Sequence, residues 1–172
     1  MKEAQKNQQN KRNKSFKQNK GHKKKNNTTP KPSNRLSFSF KKEDFTCKVS
    51  KKMRISLGLI GGLELLKTAC QAPIQILKGY EDPDAIGKGN FRKNYHCMGL
   101  AADIQVDSLS LKELFIKAKT IEEFKGIGIN LDDNYIHVDS RKEEERLMWV
   151  EKGDQVIPIT EDNYETYFTP ES

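Results

Sequence analysis

The segment Asn94-Tyr95-His96-Cys97-Met98-Gly99-Leu100-Ala101-Ala102-Asp103-Ile104 sets up the interpretation of everything around it, and its counterpart is Tyr135-Ile136-His137-Val138-Asp139-Ser140-Arg141. Each segment places a histidine on a short apolar run with an aspartate close by. The chain has three histidines; His22 lies in a polar N-terminal stretch, which leaves His96 and His137 for the globular part. A histidine among apolar residues reads either as a hydrogen-bonded core or surface side chain or as a metal ligand. Two of them with a carboxylate suit a metal site with three protein ligands and a fourth position open to water. On this reading His96 begins the first strand-like run, Asp103 lies inside it, and His137 lies on a second strand pairing nearby. Gly99, Ala101 and Ala102 are small enough to let backbone pass close to a metal and pack beneath it.

The order His, three residues to Gly, two to Ala, two to Asp-Ile, followed later by His-x-Asp, resembles the zinc D-Ala-D-Ala carboxypeptidases and peptidoglycan endopeptidases. That family shares its fold with the hedgehog signalling domain. The resemblance spans roughly residues 45 to 150. It implies that His96, Asp103 and His137 hold Zn2+, that the substrate is a peptidoglycan-derived peptide, and that the reaction is metal-assisted amide hydrolysis. Such chemistry also needs a carboxylate to take a proton from water and pass it to the leaving amine.

Three positions depart from the family pattern. Many members carry an acid three residues before the last histidine, where this chain has Asn134. Along an extended strand Asp133, Tyr135, His137 and Asp139 share one face, so Asp133 is the substitute base expected here, against a plain polar turn at Asp132-Asp133-Asn134. Asp139 belongs to the His-x-Asp pattern and is expected to orient a ligand. Arg141 either pairs with Asp139, meets a substrate carboxylate, or forms a surface ion pair. Lys78-Gly79-Tyr80-Glu81 stands where members often read Ser-Gly-Tyr-Arg; Glu81 repels a carboxylate that an arginine would clamp, and Lys78, Arg92 or Lys93 can supply positive charge instead. Asn94 replaces a usual serine.

Charge is unevenly spread. Residues 1–35 hold 12 Lys and Arg and one acid, so their net charge is +11; the whole chain is +7, which leaves about −4 for the remainder. This N-terminal segment is nearly free of apolar residues and is expected to be disordered, because it cannot bury enough surface to offset its ordering entropy. It reads as a solubilising extension or as a tether to an anionic polymer or lipid. Phe16 is its only aromatic residue, so base stacking is poorly supported and sequence-specific nucleic-acid binding is not expected. No apolar run of the secretory type follows the early positive charge, and Ile55–Leu66 is too short and too polar to span a bilayer. A cytoplasmic or unconventionally released monomer is the expectation. The odd set Cys47, Cys70 and Cys97 argues against a disulfide framework, and Cys97 is expected to be a packed thiol.

Local patterns supply the elements. Leu36-Ser37-Phe38-Ser39-Phe40 alternates as an edge strand or a docking segment. Leu59, Leu63, Leu66 and Ala69 mark one face of a helix between about Met53 and Cys70, and Pro73 ends it. Strands are expected at Ile74–Leu77, Ala101–Val106, Gly126–Ile129, Tyr135–Asp139 and Gln155–Thr160. Gly79–Lys93 reads as a long polar loop. Ser108 or Ser110 caps a helix from Leu111 to Ala118, with a further helical turn at Ile121–Phe124. Trp149 reads as core packing, and the acidic, aromatic end from Glu161 as a segment that packs on the domain. The expected architecture is therefore an α+β domain over residues 36–172. Its sheet would be small and mainly antiparallel, with the metal site on it and helices on one face. A non-catalytic relative that binds a wall fragment or a protein partner is the alternative, supported by Asn134 and Glu81.

Overall fold

The computed structural model describes residues 33–87, 94–160 and 162–168. The basic segment before Ser33, Arg92, Lys93 and Glu161 lie outside the described residues. From Ser33 onward the chain forms one compact α+β unit.

Among the described residues six strands form one mixed sheet in the order β1-β2-β4-β3-β5-β6. They are β1 Gln75–Lys78, β2 Ala101–Gln105, β3 Gly126–Asn130, β4 Tyr135–Asp139, β5 Leu147–Lys152 and β6 Gln155–Ile159. All neighbours are antiparallel except β3 and β5. That parallel pair follows from the return of the chain after β4 to the far edge of β3. Within the sheet, Asp103 lies opposite His137, and His137 lies opposite Gly128. A turn through Asn134, whose φ is +54°, closes the β3–β4 hairpin; asparagine tolerates this left-handed conformation better than most residues.

Side chains alternate across the sheet. Ala102, Ile104, Ile127, Ile129, Ile136, Val138 and Val150 point into one core with α1 (Leu57–Cys70) and α4 (Leu111–Lys119). Leu59, Leu63 and Leu66 of α1 and Leu114, Phe115 and Ala118 of α4 meet them there. Ser56 caps α1, and α1 ends at Gln71 in the left-handed region. The Ser110 cap of α4 is completed by Glu113 in a reciprocal capping box, the arrangement that satisfies two orphan donors at a helix start. Polar and small residues, namely Asp103, His137, Asp139, Gly126 and Gly128, alternate onto the opposite face.

Of the two readings of residues 36–40, docking on the domain is the one observed, and the expectation of a helical turn at Ile121–Phe124 changes. Residues 36–40 are not a strand: they fold back on themselves through bonds from Leu36 N and Ser37 N to Phe40 O, at 3.0 and 3.1 Å. Glu64 of α1 holds this fold-back by accepting from Ser37 Oγ, Ser39 N and Ser39 Oγ, each at 2.7 Å, so the segment docks through polar contacts. Ile121–Phe124 is a turn rather than a helix. Arg146 fills the carbonyls there, donating to Phe124 O at 2.9 Å, Ile121 O at 2.8 Å and Lys119 O. Within the expected loop after β1, Asp82 caps a single helical turn, α2 (Pro83–Ile86). The C-terminal segment packs as expected, with Tyr164 and Phe168 against Phe115 at ring separations of 5.4 and 5.9 Å.

Candidate metal centre

His96 does not begin a strand. It lies on a helical turn, α3 (Tyr95–Met98), whose N-cap Asn94 accepts from the backbone N–H of His96 and Cys97. Gly99 ends the turn at φ +69°, a conformation glycine adopts without the Cβ penalty. The turn lifts the imidazole over β2 rather than leaving it in the sheet plane. Leu100 then leads into β2, where Asp103 points to the same side.

His96, Asp103 and His137 converge, as their sequence pattern suggested. Asp103 Oδ1 is 2.8 Å from His137 Nδ1 and 3.2 Å from His96 Nε2. The two ring nitrogens are 3.3 Å apart. Asp103 is 3% exposed and His96 7%, so these atoms face each other away from bulk water. The outer nitrogens are separately engaged. His96 Nδ1 lies 2.9 Å from the Gly79 carbonyl, which can only accept, so this nitrogen carries the hydrogen and Nε2 presents its lone pair. His137 Nε2 lies 3.2 Å from Asp139 Oδ2, which leaves Nδ1 facing inward by the same argument. In the metal-free group a proton on His137 Nδ1, shared with Asp103 Oδ1, stands between these donors. Once it is displaced, two imidazole lone pairs and a carboxylate aim at one point, and the group can hold a metal ion.

The electrostatics carry the same message. Burial opposes charge on Asp103, but its close contacts with His137 and His96 outweigh it and hold the carboxyl well below its usual range. Burial would lower His137, yet Asp103 and Asp139 push it up to about 9. A proton held that tightly marks a position where positive charge is stabilised. Metal binding would displace it, since the ligating form is the neutral imidazole.

Asp139 is 0% exposed and saturated. Its Oδ1 accepts from Arg141 N at 3.1 Å and Nε at 2.8 Å; Oδ2 accepts from Arg141 Nη2 at 2.6 Å. Burial resists its ionisation, but Arg141 and His137 bring the carboxyl down to about 2. The Arg141 guanidinium lies 4.3 Å from the Tyr95 ring centroid and 5.4 Å from that of Trp149. Of the readings left open for Arg141, the pairing with Asp139 is therefore the one observed.

The glycines of β3 make this possible. A Cβ on Gly126 would collide with the Asp139 carboxylate and lie 2.6 Å from Arg141 Nη2, and one on Gly128 would lie 2.5 Å from the Trp149 ring. Trp149 consequently lies across the bare strand, its ring 5.4 Å from that of His137. It is part of the site face and not of the core. Lys78 Nζ is 3.4 Å from Asp103 Oδ2 and brings one positive charge to the edge of the cluster.

Asp133 is placed differently from its expectation. β4 begins at Tyr135, and the left-handed Asn134 breaks the alternation that would have put Asp133 on the His137 face. It lies exposed in the turn, its N–H bound to Asn130 Oδ1 at 2.7 Å. Glu81 accepts from Asn94 Nδ2 at 3.4 Å and so braces the cap of α3. Cys97 is buried and is not among the converging donors. Sequence reasoning missed the Gly79 carbonyl, which no side-chain pattern encodes, and the roles of Tyr95 and Trp149 as plates around Arg141.

No family model, curated protein or solved structure matches this chain. The fold and site define an α+β domain with a buried His–Asp–His group able to hold a metal ion. Among the described residues no helix is long and apolar enough to cross a membrane.

Proposed function

We propose that the domain is a zinc-dependent peptidase that hydrolyses peptide bonds in peptidoglycan stem peptides, of the D,D-carboxypeptidase or endopeptidase type, with the hedgehog/DD-peptidase fold. The observation that carries this reading is the triangle of His96 Nε2, Asp103 Oδ1 and His137 Nδ1, with sides of 2.8, 3.2 and 3.3 Å. Ligands about 2.0–2.1 Å from a tetrahedral zinc stand about 3.3 Å from one another, so the donors need only small adjustments. Bound zinc would supply Lewis acidity and a water whose pKa falls to about 7.

The chain's own residues have definable tasks around that chemistry. The Gly79 carbonyl fixes the His96 tautomer, and Asp139 fixes that of His137. Arg141 keeps Asp139 ionised and engaged, so Asp139 is a positioning residue rather than a proton acceptor. Asp133 remains the proposed base; from its exposed turn it must approach the cluster when substrate is bound. Exchanging it for asparagine tests this, with a fall of at least tenfold in kcat and unchanged zinc content expected if it carries protons.

A second reading, a non-catalytic module binding a wall fragment or protein partner, is favoured by one observation: position 134 is an amide and Asp133 does not share the His137 face. One experiment separates the two. Elemental analysis of purified wild type beside His137→Ala is followed by a stem-peptide cleavage assay with and without chelator. About one zinc per chain, lost in the variant, together with chelator-sensitive cleavage, supports the peptidase. Zinc without cleavage supports the binding module, and absence of zinc refutes the peptidase and the metal assignment of the triangle.

A further inference from the structure

Beyond the metal ligands the same sheet face carries a second row of side chains. Cross-strand register aligns Asp103, His137, Gly128 and Trp149 in one row, and Tyr135, Asn130 and Glu151 in the next. The rows are two residues apart along the strands, about 6.6–7 Å, the repeat of alternate side chains in an extended peptide. A peptide whose scissile bond lies at the first row therefore presents a neighbouring group to the second.

Glu151 dominates that second row. Its Oε1 accepts from Trp149 Nε1 at 2.9 Å and its Oε2 from Asn130 Nδ2 at 3.2 Å. Asn130 Nδ2 also donates to Tyr135 Oη at 3.2 Å, while its Oδ1 holds the Asp133 N–H. The carboxylate is thus fixed in orientation by neutral donors, with acceptor capacity remaining on both oxygens. Among the described residues no Lys, Arg or His forms an ion pair with it. Lys152 follows it on β5 and alternates to the other face, Lys78 is engaged by Asp103, and Arg141 by Asp139. Asp132 and Asp133 in the adjoining turn add negative potential. A half-buried, oriented carboxylate without a counter-charge among the described residues, bordered by two aromatic residues, favours a cation over an anion or a neutral group.

We propose that Glu151, with Asn130 and Tyr135 beside it, forms a subsite for a primary ammonium group of the substrate, one step along from the metal-ligand row. The proposal rests on the peptidase reading for its choice of probe, since stem peptides include a diamino residue, but its test does not depend on cleavage. Nα-acetyl-Lys-D-Ala-D-Ala and its Nε-acetylated form are titrated into the zinc-loaded full chain, wild type and Glu151→Gln, with binding followed calorimetrically. The wild type should favour the free amine by at least tenfold. Glu151→Gln, which keeps the size of the side chain but not its charge, should lose that preference with unchanged zinc content. A merely structural role for Glu151 predicts the same preference in both proteins.

Equal binding of the two peptides by wild type, binding of neither, or a preference that survives in Glu151→Gln overturns the subsite. If the variant loses the native Trp149 fluorescence, the wild-type comparison and Glu151→Asp decide: parity in either sinks the proposal, and retained preference in both upholds it. Cleavage on the same samples is a separate readout. Hydrolysis without amine preference removes the subsite and leaves the peptidase standing; preference without hydrolysis does the reverse.

Discussion

Asp139→Asn isolates the part of the site that orients His137 without removing a proposed ligand. The aspartate is 0% exposed, and its two oxygens together take four donors: Arg141 N and Nε on Oδ1, and Arg141 Nη2 and His137 Nε2 on Oδ2. An asparagine amide can flip, but either orientation points its NH2 at two donors. Flipped one way it opposes Arg141 N and Nε; flipped the other, Arg141 Nη2 and His137 Nε2. The guanidinium, 10% exposed, is left without its counter-charge. Breaking a buried pair by neutralising one partner costs about 3–5 kcal/mol, and the retained oxygen places this case near 3. For a domain of this size that is a fall in Tm of about 10 °C. Loss of the orienting carboxylate should weaken metal binding by about 10–100-fold. The assays are thermal unfolding of the metal-free protein and zinc competition against a chromophoric chelator. Lower stability with unchanged zinc affinity would refute the orienting role assigned to Asp139, and no change in either would refute the buried-pair argument as well.

Other perturbations probe the surrounding structure. Gly128→Ala places a Cβ 2.5 Å from the Trp149 ring; overpacking should cost about 1–3 kcal/mol, and because Trp149 is the single tryptophan, a shift in its emission reports the displacement directly. Arg146→Ala strips three backbone carbonyls at the end of α4 and the turn after it of their donor; a loss of about 2–3 kcal/mol in urea unfolding is expected, and a value near zero would mean water replaces the guanidinium. Glu64 is held below its ordinary pKa: burial raises it, but hydrogen bonds from Ser37 and Ser39 outweigh burial. A depressed folded-state pKa contributes stability that is present above the unfolded value, about 4.3, and is lost as pH falls through the folded one. Amide exchange in residues 36–40 should therefore accelerate relative to the sheet below about pH 4, and Glu64→Gln should show the faster exchange already at pH 7.

Much of the site was legible because its signals are local. The His96-x-x-Gly99-x-Ala101-x-Asp103 spacing and the His137-x-Asp139 pair name the three converging residues. Tyr135–Asp139 alternates cleanly and is a strand over those residues. Ser110 and Glu113 encode the start of α4 within four residues. The helical turn at His96 is also written locally, since Asn94 before it and Gly99 after it are the N-cap and left-handed terminator of a single turn.

Tertiary structure decided whatever depends on partners distant in the chain. Residues 36–40 alternate like a strand, but they meet Glu64 instead of a free sheet edge. β5 pairs directly and in parallel with β3, although β4 comes between them in sequence, and nothing local to Leu147–Lys152 states that register. The register is what carries Trp149 over Gly128 to His137 and moves it from the expected core to the site face. The Gly79 carbonyl that fixes His96 is a backbone atom, identical in every residue type, so only the path of the chain makes it specific. By itself the sequence determined which donors meet, because ligand chemistry is written in side-chain identity. It could not determine how those donors are aimed, because their orientation comes from strand register, backbone carbonyls and the room left by absent Cβ atoms, which exist only once the chain has folded.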